Sequence, residues 1–533
     1  MPTRKTQVSI QQCLCWPKAI FLSVFLATLI MSSHFVFSAE GDACRALGGQ
    51  SFVLEGDVPA VIGRAQPVEA SNTLPAHCAV EGFAAPQVGF EVRLPLVNWN
   101  GRYLQQGCRG MCGLLNPKAT DDALARGYAV AGSDMGHKAF SSQSGIWAVN
   151  NPQGKIDFGY RATHVTALAA DTLISTFYGV TAKTKYFRGC GTGGRQALVE
   201  AQRYPDDFDG IIVNGGVVFN FTRLNYLMTW NMRANINATG KHILSRADVE
   251  KLHHAVLGAC DGLDGLNDGI LSDPEHCDFD PTELACSGSK EKNCFSPEKV
   301  ETARKMYAGP SRDNGEQIYP GMMRGSELTW ASAYFGGKPG YANFVAEMMR
   351  YFIFPAAPGP SYEIADFDLN RSPAFFDESE NLVSADSTDY SGFQARGGKI
   401  LMTHGWNETA MPGSYPAQYY QRLAREVGSI EETRKFFRLY MIPGEKRCLF
   451  GPPEGPYFDH LSILEHWVEG GKAPDILTGY ALTEKPQYRD QVHYPLQASQ
   501  IEYERPFAPY PDTLIYDSQG DPADVSSYLR NAH

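Results

Sequence analysis

The chain has 533 residues, 43% hydrophobic and 20% charged, with a formal net charge of -12. Its length exceeds what one minimal core needs, so a large domain with an insertion, or two domains, is expected of this ordinary soluble globular composition. An acidic chain without a basic run argues against nucleic acid or anionic membrane surfaces as partners.

Met1 to Ser38 carries Arg4, Lys5 and Lys18 but no acid, then the apolar run Ala19–Met31, then small residues at Ser38-Ala39. This pattern predicts a secretory signal peptide over 1–38, hence a secreted or periplasmic protein. The competing reading, a membrane anchor, needs ~20 apolar residues, which the run does not supply, so no span is expected in the mature chain. Removing three positive charges takes the net charge from -12 to -15. Of twelve cysteines, Cys13 and Cys15 leave with the leader, and ten remain, an even set suited to an oxidising compartment. Sequons stand at Asn220, Asn237, Asn370 and Asn407.

Val88–Pro95 alternates like a strand, and Gly101–Gln105 leads into the glycine-rich Gln106-Gly-Cys-Arg-Gly-Met-Cys-Gly113. Such a loop lets backbone N–H groups approach a ligand oxygen; it also reads as a disulfide-pinned surface loop. Tyr128–Asp134 is a buried-strand pattern followed by Met135-Gly-His-Lys138, and Asp157 to His164 opens a helix that runs through Ile174. Neither His137 nor His164 lies on a segment that feeds the turn described next, so both are expected to be structural.

Lys185 to Arg203 reads as a strand, a sharp glycine-dense turn and a helix, the local shape of a nucleophile elbow. In G-x-S-x-G the middle residue is lifted above the sheet and the next backbone N–H helps form an oxyanion hole. Here the middle residue is Gly191. After Asn214 the alternation of strands and helices stops, and residues 220–395 turn rich in aromatic residues, Pro, Gly and Cys, which marks an inserted lid domain. Within it, Cys260 to Ile270 sets Asp261, Asp264 and Asp268 among glycines, either a hard-cation loop or a solvated acidic turn. Strands resume at Lys399–Trp406 and Phe436–Gly444, and Phe458–Trp467 looks helical, so His460 and His466 flank packing. The expected order is a first core part over 39–219, the lid over 220–395 and a second core part over 396–533.

Gly189-Cys-Gly-Thr-Gly-Gly-Arg-Gln196 closely resembles the G-C-S-T-G-G-R-Q elbow of the tannase and feruloyl esterase family, which includes the hydrolase of mono(hydroxyethyl) terephthalate. Tyr204–Ile212 and Tyr319–Trp330 match further family segments. The resemblance, from about residue 44 to near 480, implies an α/β-hydrolase core with a large inserted lid. It implies structural calcium held by the Asp261, Asp264 and Asp268 side chains and the Leu266 and Ile270 carbonyls. It also implies disulfides Cys44–Cys78, Cys190–Cys448, Cys260–Cys277 and Cys286–Cys294, leaving Cys108 to pair with Cys112. Oxyanion-type donors would come from Gly110 and Thr192, although Arg109 stands where the family usually has glycine.

The family's triad serine, aspartate and histidine fall at Gly191, Glu408 and Arg447. Glycine offers no nucleophile, and arginine, with a pKa above ~12, is no general base. Ester hydrolysis by the standard triad is therefore not expected of this chain. Three function classes stand open: a repurposed protein that binds or acts on small aromatic esters or carboxylates, a carboxylic ester hydrolase with a displaced site, and a lyase, cyclase or isomerase using the old pocket.

Overall fold

The computed structural model describes residues 39–532 except 57, 216, 289–292, 313, 336–339, 371–375, 446–455, 485–491 and 493. The expected leader, Arg447 and Cys448 thus lie outside the described residues. The apolar runs after residue 100 form the parallel centre of a ten-stranded sheet. An antiparallel meander precedes them: β1 (Ser51–Leu54), β2 (Val58–Val68), β3 (His77–Ala84) and β4 (Val88–Pro95). The centre comprises β5 (Arg102–Gln106), β6 (Ala129–Ser133), β7 (Thr184–Gly189), β8 (Gly210–Asn214), β9 (Lys399–Gly405) and β10 (Phe437–Ile442). Spatial order is β1-β2-β3-β4-β6-β5-β7-β8-β9-β10, with β4 joining β6 antiparallel and every pair beyond it parallel.

Successive residues of a strand point to opposite faces, and a parallel strand covered on both sides is apolar throughout. Tyr103, Phe187, Ile211, Ile400 and Leu439 enter one core cluster. Their neighbours Leu104, Tyr186, Ile212, Leu401 and Tyr440 enter the other. Helices cover both faces. α1 (Asp121–Ala125) meets the second cluster, while α2 (Ala162–Tyr178) and α3 (Thr192–Arg203) meet the first. α2 stops at Gly179, whose φ of 73° gives the left-handed C-cap that a residue with a Cβ adopts only at a cost.

Between β8 and β9 the chain leaves the sheet, and the regular elements among its described residues from Phe221 to Ala395 are all helical, beginning with α4 (Phe221–Ala234) and α5 (Arg246–Cys260). α5 starts on a capping box between Ser245 and Asp248. This is the segment expected as a lid. α6 (Ser414–Val427) then packs on the first face and α7 (His460–Val468) on the second.

A wholly buried cation helps fasten the segment to the core. Arg195 of α3, wholly buried, donates to the carbonyls of Gly159 (2.6 Å), Phe158 (2.6 Å) and Val383 (3.1 Å). Its guanidinium also lies over the Phe158 and Phe221 rings. Burial lowers its pKa to about 9.

Beyond α7, two antiparallel pairs that the sequence reading did not foresee complete the chain: β11 (Leu477–Leu482) with β12 (Ile501–Phe507), and β13 (Thr513–Tyr516) with β14 (Tyr528–Asn531). Cys44–Cys78, Cys108–Cys112, Cys260–Cys277 and Cys286–Cys294 are bonded as expected. No helix among the described residues is long and apolar enough to cross a membrane. Two sequons are interior positions: Asn220 is 2% exposed, with its amide donating to the Tyr415 hydroxyl at 2.8 Å, and Asn407 is 8% exposed.

Candidate active site

Parallel strands deliver their C-terminal ends to one edge, where open α/β sheets bind ligands. Gly191 sits there, between β7 and α3, with φ 60° and ψ -117°. Only the absence of a Cβ makes that conformation comfortable. The helix that follows has no side-chain N-cap.

The glycine-rich loop after β5 lies directly on this turn. A Cβ on Gly107 would stand 2.7 Å from the Gly193 Cα, so the contact exists because both residues lack side chains. Gln196, one turn into α3, grips the loop: its Oε1 accepts from the Cys108 N–H at 3.1 Å and its Nε2 meets the Cys108 sulfur at 3.0 Å. The loop is therefore both disulfide-pinned and part of the elbow, which joins the two readings offered by sequence.

Gly110 and Thr192 do come together. Their contact is a hydrogen bond from the Thr192 hydroxyl to the Gly110 carbonyl, 2.6 Å. Thr192 is 2% exposed. As the first residue of its helix it has an N–H with no intrahelical acceptor. The loop borders a cavity of about 430 Å³ lined by Arg93, Gln106, Arg109, Ser133 and Ser142, among others.

Glu408 lies just past β9, 2% exposed, and its Oε1 accepts from the Ala410 N–H at 2.9 Å. Asn407 beside it is a tie: its amide donates to the Gly325 carbonyl at 2.5 Å, and its Oδ1 accepts from the Gly444 N–H at 3.0 Å. A second buried acid, Glu445, stands past β10, so close that a Cβ on Gly405 would meet its carbonyl oxygen at 2.1 Å. No local pattern singles out Glu445; its position two residues before Arg447 in the sequence is the available signal.

Neither His137 nor His164 is on the elbow strand or helix, and His137 packs behind the glycine-rich loop. His137 stacks on Trp147 at 3.8 Å, its Nε2 is 2.8 Å from the Met111 carbonyl, and burial lowers its pKa to about 4. His460 opens α7 and its Nε2 meets the Thr403 hydroxyl at 3.0 Å, a packing role.

The family model for tannase and feruloyl esterase matches residues 72–531. The chain belongs to the tannase and feruloyl esterase family. Among its relatives within the family, a probable feruloyl esterase B-2 of Aspergillus flavus is 32% identical over 75% of this chain and 78% of its own length. The mono(2-hydroxyethyl) terephthalate hydrolase of Piscinibacter sakaiensis is 30% identical over 86% of this chain and 85% of its own. The solved feruloyl esterase B of Aspergillus oryzae superposes with a TM-score of 0.79 at 25% identity, covering 93% of this chain and all of that one. The expected α/β-hydrolase fold is thus the family's fold.

The acidic loop that family resemblance links to calcium follows α5. Asp261 accepts from the Gly269 N–H at 3.1 Å, Asp264 from the Leu266 N–H at 3.0 Å, and Asp268 from the Ile270 N–H at 3.0 Å. Carboxylates suit a hard cation. The cage is not open, however, because Arg505 of β12 donates to Asp264 at 2.9 Å and to Asp268 at 2.5 Å. An ion entering among these carboxylates would have to displace the guanidinium. Sequence offered no cue to Arg505, which lies more than 230 residues downstream.

Proposed function

We propose that this family member no longer hydrolyses esters by a serine triad, and that its elbow pocket recognises small aromatic carboxylates or carboxyl esters. The observation that carries the reading is the turn itself. Gly191 holds the strained elbow conformation with no side chain on it, while the neighbouring Thr192 hydroxyl is committed to the Gly110 carbonyl and buried. Neither position supplies an attacking oxygen. The triad's other places carry Glu408 and Arg447. The planar fork of a guanidinium offers paired donors to a ligand's carboxyl group. The Thr192 N–H adds a donor at the helix N-terminus.

The protein acts outside the cytoplasm, in keeping with the four disulfides among its described residues and its leader-like first 38 residues. Its acidic loop takes calcium in exchange for Arg505.

The test has two arms. Purified protein incubated with gallate, feruloyl and mono(hydroxyethyl) terephthalate esters shows no turnover and takes up no serine-directed phosphonate. Calorimetric titration with benzoate, ferulate or terephthalate gives binding that Arg447→Ala weakens about tenfold or more, as expected for loss of a charge-assisted pair. Ester cleavage that survives rigorous purification overturns the first half of the reading. Carboxylate affinity unchanged in Arg447→Ala overturns the second.

A further inference from the structure

At the far end of α3 from the elbow lies a second polar cluster. Glu200 is eight residues beyond Thr192, about 12 Å along the helix axis. It faces His164 of α2 and Asp207 in the turn before β8. One donor atom from each residue lies within 4.8 Å of the other two. We propose that His164, Glu200 and Asp207 bind a divalent first-row transition ion, with Zn²⁺ as the ion that fits their one nitrogen and two oxygens.

Glu200 points to a missing occupant. The residue is 1% exposed, and neither carboxylate oxygen receives a hydrogen bond. A buried carboxylate without donors is costly. The nearby cations are committed elsewhere: Arg195 to its three carbonyls, and Lys185 to Asp171 at 2.9 Å. A dication with a neutral imidazole cancels the two negative charges of Glu200 and Asp207. A proton shared between Glu200 and Asp207 is the competing occupant; burial and the neighbouring Asp207 raise the Glu200 pKa well above normal.

The imidazole is already oriented. The His164 ring stacks on Tyr204 at 3.9 Å with its Nδ1 2.7 Å from Asp207 Oδ2, so Nδ1 is the nitrogen turned to Asp207, and an ion takes the place of the proton between them. Zinc at ordinary bond lengths of about 2.0–2.2 Å needs this nitrogen and oxygen roughly 3.3 Å apart, a small rotation of either side chain. The His164 side chain is 24% exposed, so an ion reaches the cluster from solvent. The bound ion braces α2, the end of α3 and the turn into β8, at the opposite edge of the sheet from Gly191.

The experiment uses the full mature chain, stripped with chelator and returned to excess calcium so that the acidic loop is saturated. Titration with Co²⁺ then gives one equivalent of bound ion with visible absorption, displaced by Zn²⁺, and Zn²⁺ raises the melting temperature by several degrees. Glu200→Gln and His164→Phe each abolish both signals. Glu200→Gln also offers Asp207 an amide donor, so without metal it melts at or above the metal-free wild type; this separates loss of a ligand from loss of the fold. Absence of stoichiometric Co²⁺ or Zn²⁺ uptake by the wild type overturns the proposal. So does uptake unchanged in Glu200→Gln, and the cluster is then a carboxyl pair sharing a proton.

Discussion

At Gly191 the backbone holds φ 60° and ψ -117°, a combination that costs a residue bearing a Cβ roughly 1–3 kcal/mol. A serine esterase accepts that cost to raise its nucleophile; this chain does not bear it. Gly191→Ser alone is therefore expected to lower the unfolding free energy in urea by about 1–2 kcal/mol without conferring ester cleavage. A variant as stable as the parent would mean that the turn tolerates a side chain freely. The elbow was legible because glycine density, an apolar strand and a helix former are adjacent in sequence. The Thr192 hydroxyl turned onto Gly110, more than 80 residues upstream, was not, because no local pattern encodes which carbonyl a hydroxyl finds.

Among the elements, the acidic loop after α5 draws its cation from far along the chain. Its charge was legible from three aspartates at close spacing, but its counter-charge arrives from β12, an element that sequence patterning did not foresee. Arg505 holds Asp264 and Asp268 and so docks the C-terminal strands against the helical segment. Arg505→Gln leaves those carboxylates to an ion, so its melting temperature should become more sensitive to calcium and chelator than that of the parent. Differential scanning calorimetry with and without chelator reads the difference, and equal sensitivity in both proteins would show that arginine and calcium do not compete. The clasp of Gln196 on the Cys108 loop has the same character, visible only once the two elements are packed.

For the whole molecule, the join between core and helical segment contains an acid that prefers to be neutral. Glu380 accepts from the Thr222 N–H at 2.9 Å and from the Thr222 hydroxyl, while its Oε1 is enclosed without a donor. Burial raises its pKa from 4.5 to about 7. In that window the folded chain binds more protons than the unfolded one, so the contribution is complete below about pH 4.5 and is lost as pH rises through 7. Glu380→Gln keeps the acceptor without the charge. Relative to the parent it should gain up to about 3 kcal/mol of stability between pH 4.5 and 8, measured by denaturant titration at several pH values. A difference independent of pH would remove Glu380 from the account. At this scale the doubly covered sheet was readable from apolar runs such as Lys399–Gly405. The buried ties across the join, Arg195 and Asn407, were not, since both look like ordinary polar residues in sequence.

The buried amides of Asn220 and Asn407 carry a consequence for manufacture. In a eukaryotic secretory pathway, sugar is added to Asn-X-Ser/Thr as the chain emerges, before Tyr415 or Gly325 can claim those nitrogens. An oligosaccharide on either asparagine cannot be accommodated where the amide now sits, so each modified molecule is a folding failure. A yeast or mammalian host would discard part of its yield, and a bacterial exporter without that machinery would not.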